Sequence, residues 1–143
     1  MEISITRVDN VTSQIKDFEE REWLEADIEH YGSARPYKKR TYKFVAVNES
    51  GDITGILDLE IEANVAFIDN LLVGKNYRRL GVGKKLITYA ERFAKKNKCT
   101  KIWLSTSQDW EATKFYEKVG YKITGTHEKH FLEQNELLFT KFF

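Results

Sequence analysis

The chain has 143 residues, and its 23 Lys and Arg nearly balance 22 Asp and Glu. This length suits one domain with a continuous core, and the near-neutral charge is unlike that of proteins that follow nucleic-acid phosphates. No stretch reaches the roughly 20 apolar residues of a membrane span, MEISITRVDN lacks the apolar core of a secretory signal, and the single Cys cannot form an internal disulfide. We therefore expect one domain over residues 1–143 in a cytoplasmic protein that binds neither nucleic acid nor membrane.

The N-terminal part of the chain predicts one short strand and a helical region. Apolar and polar residues alternate from Ile3 to Val8, which is typical of a strand. Apolar residues then recur at about helical spacing through DNVTSQIKDFEEREWLEADIEHYG, where Asp9 or Asn10 could cap the start and Gly32 the end. The pattern leaves open whether this region is one helix or two. The polar stretch SARPYKKR, which contains the only proline, predicts a loop.

The rest of the chain alternates strands and helices. TYKFVAV and ITGILDLEI predict two strands joined by the turn NESGD, and the apolar run VAFIDNLLV predicts a strand in the middle of a sheet. Apolar residues at helical spacing predict a helix over Lys84–Lys96. KIWLST, YKITGTHE and NELLFTKFF then predict strands, and DWEATKFYEKVG predicts a short helix closed by Gly120. This order predicts a mixed sheet with helices on its faces.

The stretch YRRLGVGKKL lies between a predicted strand and a predicted helix. Unpaired amides at a helix start and the helix dipole together favour an anion. Gly81 and Gly83 would let a phosphate approach the main chain, and the flanking Arg and Lys could add charge-assisted contacts. The spacing fits neither a Walker A loop nor the dinucleotide fingerprint. The alternative is that the glycines only make a turn and the charges are solvated.

Two motifs make the chain resemble the GNAT superfamily of acetyl-CoA-dependent N-acetyltransferases. Arg78, Gly81 and Gly83 match that family's acyl-CoA motif, Arg/Gln-x-x-Gly-x-Gly/Ala. A second motif is Asn-x-x-Ala-x-x-Phe-Tyr-x-x-x-Gly-Phe, in which Asp109 replaces Asn and Tyr121 replaces Phe. Its matching positions are Ala112, Phe115, Tyr116 and Gly120. The resemblance extends over roughly Thr41–Tyr121.

This resemblance implies a fold and a cosubstrate. The fold would be a single-domain α/β (α+β) GNAT-like structure, with a mixed, mostly antiparallel central sheet of about six to seven strands and helices on both faces. The cosubstrate would be acetyl-CoA, with its pyrophosphate on the glycine-rich turn and its pantetheine on the preceding strand. The implied cofactor-binding residues are Leu71, Leu72, Val73, Arg78, Arg79, Leu80, Gly81, Val82, Gly83, Lys84, Asp109 and Phe115.

The resemblance also implies catalytic candidates. Tyr116 occupies the position of the acid that protonates the departing thiolate in many relatives, although its helical spacing would equally let it pack in a core. Glutamates that act as bases in some relatives align with Phe67 and Leu104, which are apolar here. Asp69 would share a face with Phe67 in a regular strand, so it is the candidate base or amine anchor. It could instead accept structural hydrogen bonds, with water relaying the amine proton.

Several other polar residues have two interpretations. Asp58, Glu60 and Glu62 form an acidic stripe that could attract a cationic amine, although such a stripe is usually the wet face of a strand. The ending HFLEQNELLFTKFF resembles streptothricin acetyltransferases over a stretch too short to assign a substrate. His127 and His130 lack further ligands at metal-binding spacing, so we expect no metal site. Cys99 lies opposite the expected cofactor end, which predicts direct transfer without an acetyl-cysteine.

The favoured hypothesis is an N-acetyltransferase that transfers the acetyl group of acetyl-CoA to a primary amine by direct attack in a ternary complex. The acceptor could be a small molecule or a protein. The alternative is a non-catalytic acyl-CoA-binding regulatory module, which the missing carboxylates at both familiar base positions keep open. The apolar strand LLFTKFF could pair across a homodimer.

Overall fold

A computed structural model describes residues 1–34 and 38–143, and it divides the chain into one compact unit that precedes Lys38 and a second that comprises Lys38–Phe143. The helices are α1 (Ser13–Tyr31), α2 (Val82–Lys96) and α3 (Ala112–Lys118), with one short 3-10 turn at Lys75–Tyr77. The strands are β1 (Arg40–Val47), β2 (Ile53–Glu62), β3 (Val65–Val73), β4 (Lys101–Ser107), β5 (Lys122–Phe131) and β6 (Gln134–Phe142). Within the described part of the chain, no helix combines the length and apolar character needed to cross a membrane.

The first unit contains one continuous helix. The hydroxyl of Thr12 accepts a hydrogen bond from the Ile15 amide at 3.3 Å, so Thr12 caps α1 and the predicted caps, Asp9 and Asn10, are wrong. Gly32 ends the helix with a left-handed φ of 75°, as predicted.

The strand predicted from Ile3 to Val8 is also wrong, because these residues form no strand in the structure. Alternation of apolar and polar residues describes one face of a strand but does not supply the neighbouring strand that its backbone needs. The loop predicted for SARPYKKR falls partly on residues 35–37, which lie outside the described residues, and its last residue, Arg40, begins β1.

The second unit is built on a six-stranded sheet in the order β1-β2-β3-β4-β6-β5. Only β3 and β4 pair in parallel, and the other neighbours are antiparallel. The prediction of a mixed, mostly antiparallel α/β fold is therefore confirmed. β6 lies between β4 and β5, so its backbone is paired on both sides. The suggestion that this strand pairs across a homodimer is wrong, because β4 and β5 occupy both of its edges over residues 136–140.

The core lies between the sheet and the helices of the second unit. Alternate residues of β2, namely Leu57, Leu59 and Ile61, are fully buried, as the pattern of that strand predicted. α2 buries Leu86, Ile87, Ala90 and Ala94 in the same core cluster. Burying a leucine or isoleucine side chain contributes roughly 1.5–3 kcal/mol, so this stripe fixes α2 on the sheet.

α3 ends in a tightly bonded turn. Gly120 has a φ of 93°, and its amide donates to the Glu117 carbonyl at 3.0 Å. The Tyr121 amide donates to the Tyr116 carbonyl, also at 3.0 Å, which completes a Schellman motif. The rings of Tyr116 and Tyr121 lie 6.1 Å apart, centroid to centroid. The predicted end of the helix at Gly120 is confirmed, and the same turn fixes the backbone of Tyr116.

The hydroxyl of Tyr121 is buried and poorly bonded. Its oxygen forms no hydrogen bond of good geometry in the described part of the chain, although the Glu91 carboxylate lies close enough to accept a weak one. Burial raises the pKa of Tyr121, and the nearby carboxylate of Glu91 raises it further. The phenol therefore stays neutral, and a buried oxygen without a well-aligned partner is expected to offset part of the free energy gained by burying the ring.

We expect Tyr121→Phe to raise the free energy of unfolding by about 1 kcal/mol, because it removes a buried oxygen that is at most weakly bonded to Glu91. Urea unfolding measures the change. The control is Tyr89→Phe, because Tyr89 is 57% exposed. This surface substitution should change stability by less than about 0.5 kcal/mol. A loss of stability in Tyr121→Phe would contradict the expectation and would mean that the hydroxyl is bonded in solution.

Candidate active site

β3 and β4 separate along their length and leave a cleft between them, called the β3–β4 cleft below. They pair only through Val65↔Lys101, Ala66↔Ile102 and Phe67↔Trp103, although β3 continues to Val73 and β4 to Ser107. The rings of Phe67 and Trp103 pack against each other at the closed end, tilted by 35° and with centroids 4.4 Å apart. Beyond this pair, the facing strand edges offer backbone donors and acceptors to a bound molecule.

A β-bulge lies where the β3–β4 cleft begins to open. β3 pairs with β2 through Leu59↔Ile68 and then Asp58↔Asn70, so the pairing skips Asp69. The regular strand assumed for Asp69 is therefore wrong, and its face cannot be deduced from Phe67 by counting. The bulge also shifts later residues by one position, which places Leu71 opposite the core residue Leu57. The bulge thus leaves Asp69 exposed and returns the end of β3 to the core.

The glycine-rich turn is the stretch YRRLGVGKKL, and it ends in the first turn of α2. The first backbone hydrogen bond of that helix runs from the Lys85 amide to the Gly81 carbonyl, at 3.0 Å. The amides of Val82, Gly83 and Lys84 precede this bond and have no partner within the helix. These free donors and the helix dipole favour an anion at this point.

The two glycines of this turn have different roles. Gly81 has a φ of +82°, and a Cβ built on it would have no atom within 4 Å. A Cβ on Gly83 would lie 3.3 Å from Cζ of Phe115 and 3.6 Å from Cγ2 of Val73. Gly81 thus faces open space, as predicted for both glycines, whereas Gly83 lets α2 pack closely against β3 and α3.

The arginines of the turn also differ. Nε of Arg78 donates to the Val73 carbonyl at 3.3 Å, so this side chain ties the turn to the end of β3. Arg79 is a non-glycine residue with a φ of 63°. A left-handed conformation of this kind costs about 1 kcal/mol or more, and it persists where surrounding structure enforces it. Here it turns the chain into α2, and Leu80 and Lys84 are exposed beside it.

The structure places the other predicted cofactor residues around the same end of the sheet. Leu71 and Val73 are partly buried near the end of β3, and Leu72 is exposed between them. Phe115 contacts the glycine-rich turn through its closeness to Gly83. Asp109 lies in the exposed turn between β4 and α3.

Tyr116 follows Phe115 on α3, and only 7% of it is exposed. Its ring centroid lies 5.3 Å from that of Phe115 and 5.6 Å from that of Phe139. Burial raises the pKa of Tyr116 to about 12. The residue therefore packs in the core, as the structural alternative predicted, and keeps its proton at neutral pH, as a hydrogen-bond donor must.

The acidic stripe of β2 is largely neutralised. Asp58 pairs with Lys43, which lowers the pKa of Asp58, and it also accepts a hydrogen bond from Asn70. Glu60 pairs with Lys39 at 2.8 Å, and this bond raises the pKa of Lys39. These contacts favour the interpretation of the stripe as the polar face of a strand.

The remaining candidates lie apart from the turn. The rings of His127 and His130 on β5 lie 5.1 Å apart, but no three His, Cys, Asp or Glu side chains of the described residues converge on a metal position. Cys99 follows the last turn of α2, and burial raises the pKa of its thiol. Leu104 is buried in the core of the unit.

Sequence reasoning identified the turn but missed three features of the site. The bulge had one sequence signal, the polar pair Asp69 and Asn70 inside an otherwise apolar strand. The packing role of Gly83 and the tie from Arg78 to Val73 had none, because each depends on a contact between elements.

Comparison with known proteins places the chain among acetyltransferases. The family model described as "Acetyltransferase (GNAT) family" matches residues 8–121. A Bacillus subtilis protein, the uncharacterized YdhI, is 35% identical over 84 residues, which cover 56% of this chain and 49% of that protein. Mouse "Probable N-acetyltransferase 14" is 40% identical over 68 residues, covering 46% and 33%. The chain therefore spans about half the length of YdhI and about a third of the length of the mouse protein.

Solved structures share the fold. An acetyltransferase from Bacillus cereus aligns with a TM-score of 0.75 and 24% identity, over 96% of this chain and 98% of that one. A Bacillus anthracis protein described as a candidate streptothricin acetyltransferase, solved with acetyl coenzyme A, aligns with a TM-score of 0.68 and 30% identity. This alignment covers 76% of the present chain and 64% of that protein.

Proposed function

The chain belongs to the GNAT acetyltransferase family, and from this membership we propose that it transfers the acetyl group of acetyl-CoA to a primary amine. The amine attacks directly in a ternary complex, and it belongs to a small molecule or a protein. Residues 1–143 act as one acetyltransferase domain, and the protein works in the cytoplasm, where its single thiol stays reduced.

The observation that carries this proposal is the start of α2 beside the β3–β4 cleft, where the amides of Val82–Lys84 precede the first bond of the helix. These residues fit acetyl-CoA, because Gly81 leaves space next to donors suited to a pyrophosphate. The backbone groups on the unpaired edge of β3, from Leu71 to Val73, would form hydrogen bonds with the amide groups of the pantetheine. Bound acetyl-CoA supplies the activated acetyl thioester.

Tyr116 would act on the sulfur of the thioester as a hydrogen-bond donor. A thiol ordinarily has a pKa of about 8.5, whereas burial raises the pKa of Tyr116 to about 12. The phenol is therefore the weaker acid, so it keeps its own proton and stabilises the developing thiolate through a hydrogen bond. This role resembles that of an oxyanion-hole donor more than complete proton transfer.

Asp69 would hold the acceptor amine. Its carboxylate is exposed on the bulge where the β3–β4 cleft opens, and it is a suitable partner for an ammonium group. The amine must lose a proton before it attacks, and solvent at this exposed position can receive that proton.

We expect Asp69→Asn to raise the KM for the amine roughly ten- to a hundredfold with kcat little changed, because a hydrogen bond to a charged group is lost. Steady-state kinetics at saturating acetyl-CoA measures both constants. Glu49→Gln is the control, since Glu49 is an exposed carboxylate in the turn between β1 and β2. A fall in kcat with KM unchanged would assign Asp69 to proton transfer instead.

The function is tested by measuring free CoA thiol released across a panel of amines. The panel should include streptothricin, polyamines, aminoglycosides and peptide amines, since the Bacillus anthracis relative is named for streptothricin. Release that depends on both acetyl-CoA and an amine supports the enzyme. Acetyl-CoA at 100 times its Kd should stabilise the fold by about 2.7 kcal/mol whether the protein is an enzyme or only binds acyl-CoA. Stabilisation without turnover on any amine would favour the non-catalytic acyl-CoA-binding module.

We expect Cys99→Ala to keep the full rate of acetyl transfer. Cys99 is buried just beyond the end of α2, and that helix of 15 residues begins at the glycine-rich turn. A helix of this length separates the thiol from the turn by about 22 Å. Burial also raises the pKa of the thiol, which disfavours the nucleophilic thiolate. Loss of activity with unchanged thermal unfolding would contradict direct transfer and indicate an acetyl-cysteine intermediate.

A further inference from the structure

A lysine from β6 connects the two helices that carry the proposed site. Nζ of Lys141 lies 2.9 and 3.1 Å from the two carboxylate oxygens of Glu91 on α2. It also donates to the carbonyl of Val119, at the end of α3, at 2.9 Å. These three bonds use the full donor capacity of the ammonium group. Neither residue belongs to the two sequence motifs or to the proposed chemistry.

A contribution to stability does not by itself explain why Glu91 and Lys141 form a largely buried ion pair. The side chain of Glu91 is only 12% exposed, and that of Lys141 is 30% exposed. Removing water from two charges costs about as much free energy as their attraction returns, and apolar residues often replace such pairs without loss. The geometry at the end of α3 offers another role for the pair.

The position of α3 depends on what holds its ends. With seven residues, it is too short to be stable by itself. Lys141 binds the Val119 carbonyl, which no later residue of the helix can satisfy. Its Nζ also lies 5.6 Å from the ring centroid of Tyr121, the residue whose amide bonds the Tyr116 carbonyl. Lys141 therefore braces the turn that fixes the backbone of Tyr116.

Glu91 connects Lys141 to α2, the helix that begins at the glycine-rich turn. α2 begins at the glycine-rich turn and carries Glu91 to the point where it meets Lys141. We propose that Glu91 and Lys141 are positioning residues that fix the place of the Tyr116 phenol relative to the glycine-rich turn. This inference rests on the proposed function. The pair sets the separation of α2 and α3 at the end of α3.

The test replaces Lys141 by Met, which keeps an unbranched stem but removes the ammonium. We expect kcat to fall roughly ten- to a hundredfold, as displaced catalytic groups do, with the KM for acetyl-CoA unchanged within about twofold. In the Tyr116→Phe background, Lys141→Met should cause little further loss of kcat, because the group it positions is already gone. Equal losses in both backgrounds would overturn the proposal and leave a purely structural role.

Two further variants control for folding and for charge. Glu91→Gln combined with Lys141→Met leaves no unpaired buried charge, so it should fold, and it should show the same fall in kcat. Lys118→Met removes an exposed lysine from the same end of α3 and should change nothing. Thermal unfolding of each variant separates a loss of stability from a loss of kcat.

A readout without turnover separates this proposal from the proposed function. In protein labelled with carbon-13 at tyrosine, the ring resonance of Tyr116 is assigned through Tyr116→Phe. Lys141→Met should shift or broaden this resonance, and Lys118→Met should not. An unchanged Tyr116 resonance would overturn the positioning role even in a protein that acetylates no amine. A shifted resonance without any turnover would reject the enzyme but keep the brace.

Discussion

Tyr116→Phe should lower kcat roughly 100- to 1,000-fold while acetyl-CoA binds with unchanged affinity, because this is the effect of removing one donor to a developing negative charge. The substitution removes one oxygen from a residue that is only 7% exposed and keeps its ring contacts with Phe115 and Phe139. Thiol release at saturating substrates measures kcat, and calorimetric titration with acetyl-CoA measures affinity.

The control for this prediction is Tyr121→Phe, the same change in the neighbouring buried ring, which should leave kcat intact. A Tyr116→Phe enzyme with normal kcat would assign the ring to packing only, as its helical spacing also allows. The rate should show no alkaline loss from this phenol up to about pH 11, because burial raises its pKa to about 12. A loss near pH 10 would indicate that another group, a second phenol or a lysine, is involved, because both ordinarily titrate there.

Gly81→Val should abolish measurable acetyl-CoA binding, with affinity reduced at least about a hundredfold. Gly81 has a φ of +82°, which a β-branched residue avoids, so the turn must rearrange and its amides must move. An isopropyl group would also occupy the open space beside those amides. We expect the free energy of unfolding to fall by about 1–2 kcal/mol as well. Calorimetric titration and urea unfolding measure the two effects.

The β1–β2 hairpin provides a matched control, Gly51→Val. Gly51 has a φ of +85°, and a Cβ on it would also have no atom within 4 Å. The two substitutions therefore introduce the same backbone strain, but only Gly81 lies in the glycine-rich turn. Gly51→Val should lose similar stability and bind acetyl-CoA normally. Equal loss of binding in both variants would mean that instability, and not the turn, weakens the affinity.

Sequence patterns predicted the second unit well because its signals are local. The apolar run VAFIDNLLV is the observed extent of β3, because a strand with neighbours on both sides of a sheet is rich in apolar residues. The predicted strand over Ile3–Val8 failed because pairing depends on a neighbour that the pattern does not describe. The bulge at Asp69 was missed because its one signal, the polar pair Asp69 and Asn70, was interpreted as one face of a regular strand.

In the candidate site, too, features encoded in one short stretch were predicted, whereas features that depend on contacts between distant residues were not. The motif spacing located the glycine-rich turn and Tyr116, because each is encoded within a short, continuous stretch of sequence. The bond from Lys141 to Glu91 joins residues 50 positions apart, and no spacing rule connects them. The two roles of Gly81 and Gly83 likewise became distinct only when the contact between Gly83 and Phe115 was known.

The short pairing of β3 with β4 has a mechanical consequence. The sheet consists of two three-stranded halves, β1-β2-β3 and β4-β6-β5, and three residue pairs form the seam between them. Few sheet hydrogen bonds therefore join the two halves, and the connection between them falls to α2, which contacts β2 and β3 of one half and β4 of the other. The bond from Glu91 on α2 to Lys141 on β6 crosses the same seam, so the helix and this ion pair help to fix the width of the β3–β4 cleft.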